Sequence, residues 1–206
     1  MTVRAERLVT SGTFSLDGGT WDVDNNVWLY GDDDEVVVID AAHDAAAIAT
    51  ATAGRLVRAI LCTHGHNDHI NAARDLAASV HAPVLLHPDD RFLWDAVHAA
   101  APDGDLADGQ VIDVAGSTLT VRHTPGHAPG AVCFLGQGLV FSGDTLFRGG
   151  PGATGRSFSD FPTILASVRE TLLTLPWDTV VHTGHGADTT IGTESPAYDE
   201  WVARGH

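Results

Sequence analysis

The segment His64-Gly65-His66-Asn67-Asp68-His69 packs three imidazoles and a carboxylate into six residues, directly after the apolar run Leu56 to Cys62. Few structural roles need that density of ionisable groups at the end of a buried strand. The fold must therefore present this loop where its side chains converge on something that binds them. In an extended loop, side chains two apart point the same way, so His64 and His66 can share one cation. Asp68 and His69 stand at the approach to the following helix and turn toward a neighbouring position. Imidazole nitrogens bind Zn²⁺ at about 2.0–2.1 Å and carboxylates at similar distances, so the convergence makes chemical sense. Two half-sites need completion from elsewhere. The later chain supplies His127 in Thr-Pro-Gly-His, Asp144 in Ser-Gly-Asp-Thr and His185 in Thr-Gly-His-Gly, each beside a glycine that permits sharp turns and close backbone approach.

Around this loop the pattern alternates strands and helices. The opening third reads as strands over 6–14, 26–30 and 36–39, joined by the turns Asp17-Gly18-Gly19 and Gly31-Asp32-Asp33-Asp34. Asp44 caps an Ala-rich helix to about Ala53, Leu56 to Cys62 is a buried strand, and a helix runs from about Asn71 to Val80. A short strand at 83–86 precedes a helix begun by Pro88-Asp89-Asp90, with Phe92, Leu93, Ala96 and Val97 as its apolar stripe. Strands follow at 111–114, 118–122, 131–135 and 139–141. A Gly-rich loop over 148–155, a helix carrying Ile164, Leu165, Val168, Leu172 and Leu173, a strand at 179–182 and a short helix at 196–204 complete the chain. Both halves run strands first and then helix, which predicts two packed sheets with helices outside. The length suits one domain over 1–206.

Taken in order with Asp40, the His64–His69 cluster, His127, Asp144 and His185 resemble the five motifs of the metallo-β-lactamase superfamily, over the stretch from about Val36 to Gly186. The segments Ser142-Gly143-Asp144-Thr145-Leu146-Phe147, Gly155-Arg156 and Thr183-Gly184-His185-Gly186 look most like its short, single-domain glyoxalase II-like branch, the hydroxyacylglutathione hydrolases. The resemblance implies a four-layer αβ/βα sandwich of the α/β class with the site at one edge. It implies two divalent metal ions, zinc first, with iron or manganese also accepted by this donor set. One ion would take His64, His66 and His127, the other Asp68, His69 and His185, with Asp144 bridging. Asp68 and Asp144 would act with a metal-bound bridging hydroxide to cleave a thioester of a small thiol. Two divalent ions, two carboxylates and one hydroxide leave the centre at about +1, ready for an oxyanion. A thiolate leaves without strong acid help, because a thiol has a pKa near about 8.5.

Two other reactions share these motifs. A persulfide dioxygenase relative uses a single iron held by the counterparts of His64, His127 and Asp144, and other branches cleave lactones or other esters. The bridging Asp144 disfavours β-lactamases. The segment after His185 has no Lys. Full-length relatives hold glutathione with a basic C-terminal helical domain, so the resemblance leaves the carrier open between glutathione and another low-molecular-weight thiol.

Composition narrows the partners. A formal charge of −16, from 27 acidic and 11 basic residues, repels phosphate backbones and anionic lipid, so neither nucleic acid nor a membrane is expected. All the basic residues are Arg. No segment matches a signal peptide or transmembrane helix, and Cys62 and Cys133 each lie in an apolar run that suits a buried thiol, so a cytoplasmic location is expected. Substrate contacts fall to Arg148, Arg156 and His43. Arg156 either anchors its loop or touches an anionic substrate, and His43, just after Asp40, reaches the site rim. Asp40 itself orients a ligand or closes a turn. The other histidines, His81, His87, His98, His123, His182 and His206, take surface or hydrogen-bonded structural roles.

Overall fold

The computed structural model describes residues 2–205; His206, read above as structural, lies outside them. Strands β1 (Arg4–Leu16) and β2 (Gly19–Gly31) form a long antiparallel hairpin in register from Arg4↔Gly31 to Leu16↔Gly19. Then come β3 (Glu35–Ile39), α1 (Ala45–Ala51), β4 (Leu56–Leu61), α2 (Asn67–Ile70), α3 (Ala73–Val80), β5 (Val84–Leu86), a 3₁₀ turn at Pro88–Asp90, α4 (Arg91–Asp95) and β6 (Gly104–Asp105). The second half contributes β7 (Val111–Val114), β8 (Ser117–His123), β9 (Val132–Gly136), β10 (Leu139–Gly143), the small pair β11 (Leu146–Phe147) and β12 (Gly150–Pro151), and α5 (Phe161–Ser167) continued by a wider turn at Val168–Leu172. It closes with β13 (Val180–Thr183), β14 (Thr189–Thr190), α6 (Ile191–Glu194) and α7 (Tyr198–Arg204).

One sheet orders as β1-β2-β3-β4-β5-β6 and the other as β14-β13-β10-β9-β8-β7. The alternation of strand side chains sets the layers. Val37 and Ile39 face inward with Trp28, Tyr30, Leu61, Leu119, Val121, Phe134 and Phe141, forming the core between the sheets. Val36 and Val38 face the opposite way, with Ile48 of α1 and Leu76 of α3. On the far sheet Val140 and Val181 pack under Ile164, Val168 and Trp201. This is the αβ/βα sandwich that the motifs implied. Each fully buried Val, Leu, Ile or Phe contributes roughly 1.5–3 kcal/mol of transfer free energy, so the three apolar layers fix which edge each loop leaves from.

Three sequence expectations need correction. Strand β2 starts at Gly19 rather than Asn26, because residues 19–24 pair with β1 although none of them is buried. Asp68 and His69 do not merely precede a helix but sit in α2, a single turn. The stripe of Phe92, Leu93, Ala96 and Val97 does not form: α4 ends at Asp95, Leu93 and Trp94 are its buried residues, and Phe92 and Val97 are exposed. Cys62 and Cys133 are buried and free. Among the described residues, no helix is long and apolar enough to cross a membrane.

Candidate metal centre

Strand β4 delivers the chain through Cys62 and Thr63 to His64, while the ends of β8, β10 and β13 lead to His127, Asp144 and His185. Backbone bonds tie these ends together: Val132 N–H donates to Thr63 C=O at 2.7 Å, and Gly184 N–H to Gly143 C=O at 2.9 Å. Gly184 is required there, since a Cβ would lie 2.2 Å from Asp144 Oδ1.

All seven residues singled out in the sequence are brought together. His66 Nδ1 lies 3.0 Å from both His64 Nε2 and His127 Nε2. Three facing imidazole nitrogens have too few protons to satisfy one another. Their spacing is close to the edge of about 3.3 Å that tetrahedral bonds of about 2.0–2.1 Å would give. In the second group, His69 Nε2 and His185 Nε2 are 3.2 Å apart, with Asp68 Oδ2 at 3.5 and 3.4 Å from them. Asp144 stands between the groups: Oδ1 is 3.4 Å from His69 Nε2, and Oδ2 is 3.5 Å from both His127 Nε2 and His185 Nε2. Asp68 Oδ1 and Asp144 Oδ1 are buried without a hydrogen-bond partner. Buried, unsatisfied carboxylate oxygens are costly unless something positive faces them. The donor set therefore fits a cation site.

The electrostatics agree. Burial, reinforced by neighbouring imidazoles, holds His64 well below the usual histidine range and brings His66 down to about 3, so both present lone pairs. Burial would raise the two carboxyls, yet His69 and His185 hold Asp144 well below its ordinary value, and the same pair with Asn25 brings Asp68 to about 2. Burial also opposes a charge on His69 and His185, but the surrounding carboxylates push His69 well up and His185 to about 10. Protons thus occupy part of the cluster when no cation does, and a metal would displace them.

Three of the outward ring nitrogens are also committed, which fixes the nitrogens that those rings turn toward the centre, whereas His66 Nε2 is buried without a partner. His69 Nδ1 donates to Asp40 Oδ2 at 3.0 Å, His127 Nδ1 to Ala153 C=O at 2.8 Å and His185 Nδ1 to Asp24 C=O at 2.8 Å. Asp40 also accepts the Thr63 N–H and Oγ1–H, both at 2.7 Å, and its backbone has φ of 59°. Asp40 thus fixes the His69 ring and sits at a left-handed backbone bend.

The candidate substrate residues separate. Arg156 lines the cleft of about 220 Å³ above the cluster, with its guanidinium 3.9 Å from the Trp21 ring centroid and 5.8 Å from that of Phe14. Arg148 is exposed and outside that lining. His43 is also outside it: its Nε2 donates to Asn25 Oδ1 at 2.8 Å and its Nδ1 accepts from Asn71 Nδ2 at 3.0 Å. Asn25 Nδ2 in turn donates to Asp68 Oδ2 at 3.0 Å, so His43 braces Asp68 from behind rather than facing the rim. Sequence reasoning missed Asn25 and the cleft walls Phe14, Leu16 and Val23, which come from the extended hairpin. Of the remaining histidines, His182 bonds Asp188 and stacks on Phe141, and His98 donates to Ile70 C=O. His87 and His123, which spacing leaves unpartnered, gather with Asp89. Their rings stack at 4.2 Å and 13°, so one cation cannot lie in both ring planes, as in-plane lone pairs require.

The family described as the metallo-beta-lactamase superfamily matches residues 20–185. The chain is 33% identical over 154 residues to hydroxyacylglutathione hydrolase GloC of Haemophilus influenzae, covering 67% of this chain and 73% of that one. Among solved structures, the BLEG-1 B3 metallo-beta-lactamase superposes with a TM-score of 0.80 at 31% identity, covering 94% of this chain and all of that one (100%). The protein TTHA1623, solved in a di-iron-bound form, does so at 0.73 and 33% identity, covering 90% and 96%.

Proposed function

Because this chain belongs to the metallo-beta-lactamase superfamily, a superfamily of metal-dependent hydrolases, we propose that it is a dinuclear thioesterase for acylated small thiols. The observation that carries the reading is Asp144, whose two oxygens face His69 on one side and His127 and His185 on the other. His64, His66 and His127 would hold one ion, Asp68, His69 and His185 the second, and Asp144 both. When bound there, divalent ions would supply Lewis acidity and an activated water at neutral pH. Zinc suits the donors, and the di-iron form of TTHA1623 supports iron as an alternative.

The chain's own residues do the rest. Neutral His64 and His66 offer lone pairs, and ionised Asp68 and Asp144 balance positive charge. Phe14, Leu16 and Val23 form an apolar wall that keeps bulk water from the acyl group. Arg156 has its flat face occupied by Trp21, which leaves its edge donors for an anionic part of the substrate. At about 220 Å³ the cleft is smaller than typical ligand pockets of about 300–1,000 Å³, which suits an acyl thioester inside and a carrier thiol reaching out at the mouth. The thiolate leaves without a side-chain acid, and the cleft needs none. The named activity of GloC supports the thioester.

The test is an assay panel on protein loaded separately with Zn²⁺ and Fe²⁺. S-Lactoylglutathione and other S-acyl thiols report hydrolysis by loss of thioester absorbance, an oxygen electrode reports persulfide oxidation, and a lactone and a β-lactam report the remaining reactions. Thioester turnover without oxygen uptake is the expected result. Oxygen consumption with a persulfide and no thioester turnover would replace the hydrolase with a mononuclear iron dioxygenase at His64, His127 and Asp144.

A further inference from the structure

Beneath the cluster lies a carboxylate outside the ligand set. Asp90 closes the 3₁₀ turn at Pro88–Asp90, and its side chain is fully buried. Its Oδ2 accepts the Gly65 N–H at 2.7 Å, and its Oδ1 accepts the Gly130 N–H at 2.6 Å. Gly65 separates His64 from His66, and Gly130 follows His127 by three residues. The two loops leave strands of different sheets, β4 in one and β8 in the other. One carboxylate therefore spans the gap between the two backbone segments that supply all three imidazoles of the first group.

The packing shows that this contact shapes both loops. A Cβ on Gly65 would lie 3.0 Å from Asp90 Cβ and 2.9 Å from Leu93 Cβ. A Cβ on Gly130 would lie 2.7 Å from Asp90 N and 2.8 Å from its Cγ. Glycine stands at each position because Asp90, joined by Leu93 at Gly65, packs so closely on the backbone that no side chain fits. Both amides sit in buried loop backbone, where an unmatched N–H is costly, and bonds to a carboxylate are among the shorter and stronger ones. The parallel link from Val132 N–H to Thr63 C=O fixes the strand ends but not the loop bearing His64 and His66.

We propose that Asp90 is a positioning residue that sets the separation of His64 and His66 from His127, and thereby the cation affinity of that group. The inference rests on reading the three imidazoles as a cation site. It deepens that reading by naming what holds the site's shape. Asp90 touches neither substrate nor ligand atoms.

The experiment compares wild type with Asp90→Asn. Asparagine keeps one acceptor and turns an NH₂ toward the other amide, so one of the two clamps is broken at nearly constant volume. Co²⁺ titration against a competing chelator, followed by visible absorption, should give two stepwise affinities in the wild type. In the variant, one should weaken by about 10–100-fold, the usual cost of losing an outer partner, and its absorption band should change while the other stays in place. Two unchanged affinities, or two equally weakened ones, would overturn the proposal. Absence of cobalt binding to the wild type would instead remove the metal reading itself. If the variant does not fold, hydrogen exchange on the wild type decides. The Gly65 and Gly130 amides are expected among the slowest-exchanging loop amides, and exchange at exposed-loop rates would overturn the clamp.

Discussion

The floor of the cleft and its roof face the same space, yet they are held in different ways. On the floor, His64, His66, His69, His127, Asp68 and Asp144 are buried; Asp40 holds His69, Asn25 holds Asp68, and backbone carbonyls hold His127 and His185. The roof is the tip of the β1–β2 hairpin meeting the 153–159 segment. There Trp21 and Phe158 are 39% and 56% exposed, and Ser157 joins the segment to the hairpin through hydrogen bonds to Asp17, the N–H to Oδ2 bond being 3.0 Å, beside the Arg156–Trp21 stack. Asn67 links the two parts, donating to Thr13 C=O and accepting from Ser15 N–H, both at 2.8 Å. A buried, multiply bonded floor resists rearrangement, whereas an exposed roof with few bonds belongs to the low-stability end of local opening. Lesions in the floor should therefore change chemistry and metal content, and lesions in the roof should change substrate affinity.

The largest effect expected is that of Asp144→Ala. Removing the one side chain that faces both groups should lower turnover by more than the roughly 100-fold ceiling for outer partners and reduce bound metal, measured by kinetics with elemental analysis. Full metal content with retained turnover would break the division between floor and roof. Arg156→Ala comes next. Losing a charge-assisted contact worth about 1.5–3 kcal/mol should raise KM about tenfold or more for an anionic thioester, with kcat and metal content unchanged. A fall in kcat instead would place Arg156 with the floor.

The smallest effects concern pH, and the two regions should respond in opposite senses. Burial raises Asp90 to about 6 against the N–H donors of Gly130 and Gly65. A carboxyl raised in the folded state contributes stability that is fully present below its unfolded value near about 4 and is lost as pH rises through about 6. The unfolding free energy of wild type relative to Asp90→Asn should thus fall between about pH 4 and 6, by roughly 1–3 kcal/mol at about 1.4 kcal/mol per unit, as read from urea unfolding. Asp17 is shifted the other way: hydrogen bonds from Ser157 lower it. Its contribution is present above the ordinary carboxylate value and lost as pH falls through the lowered one. Protection factors for the amides at 155–159, which remove the intrinsic pH dependence of exchange, should fall only under that stronger acid. A fall in protection near pH 6 would mean that something other than Asp17 holds the roof.

The same contrast governs what the sequence discloses. The floor is legible because its ligands are dense in one hexapeptide and glycine-flanked elsewhere, and because 36–39 and 56–61 are unambiguous buried strands. The roof is not. Residues 19–24 lie on a hairpin over the cleft, mostly off the core, so Thr20-Trp21-Asp22 lacks the apolar alternation that marks a half-buried strand. Asp90 is concealed for another reason: Pro88-Asp89-Asp90 reads as a helix start, and nothing in that pattern tells which of two adjacent carboxylates turns inward. Closeness to Asp40 along the chain suggests the rim for His43. Its φ of 62° and its bonds to Asn25 and Asn71 carry the ring behind Asp68 instead. Short α4 shows the limit of periodicity, since five residues make too little helix for a stripe to be defined, and Trp94 takes the buried side.

The most direct test is metal stoichiometry: elemental analysis of protein purified without added metal and of the same protein after saturation and desalting, with thioester turnover followed on both. About two divalent ions per chain at saturation, with turnover rising as the second ion is bound, is the expected result. Saturation at one ion, with full turnover at that point, would contradict a centre shared between two metals by Asp144.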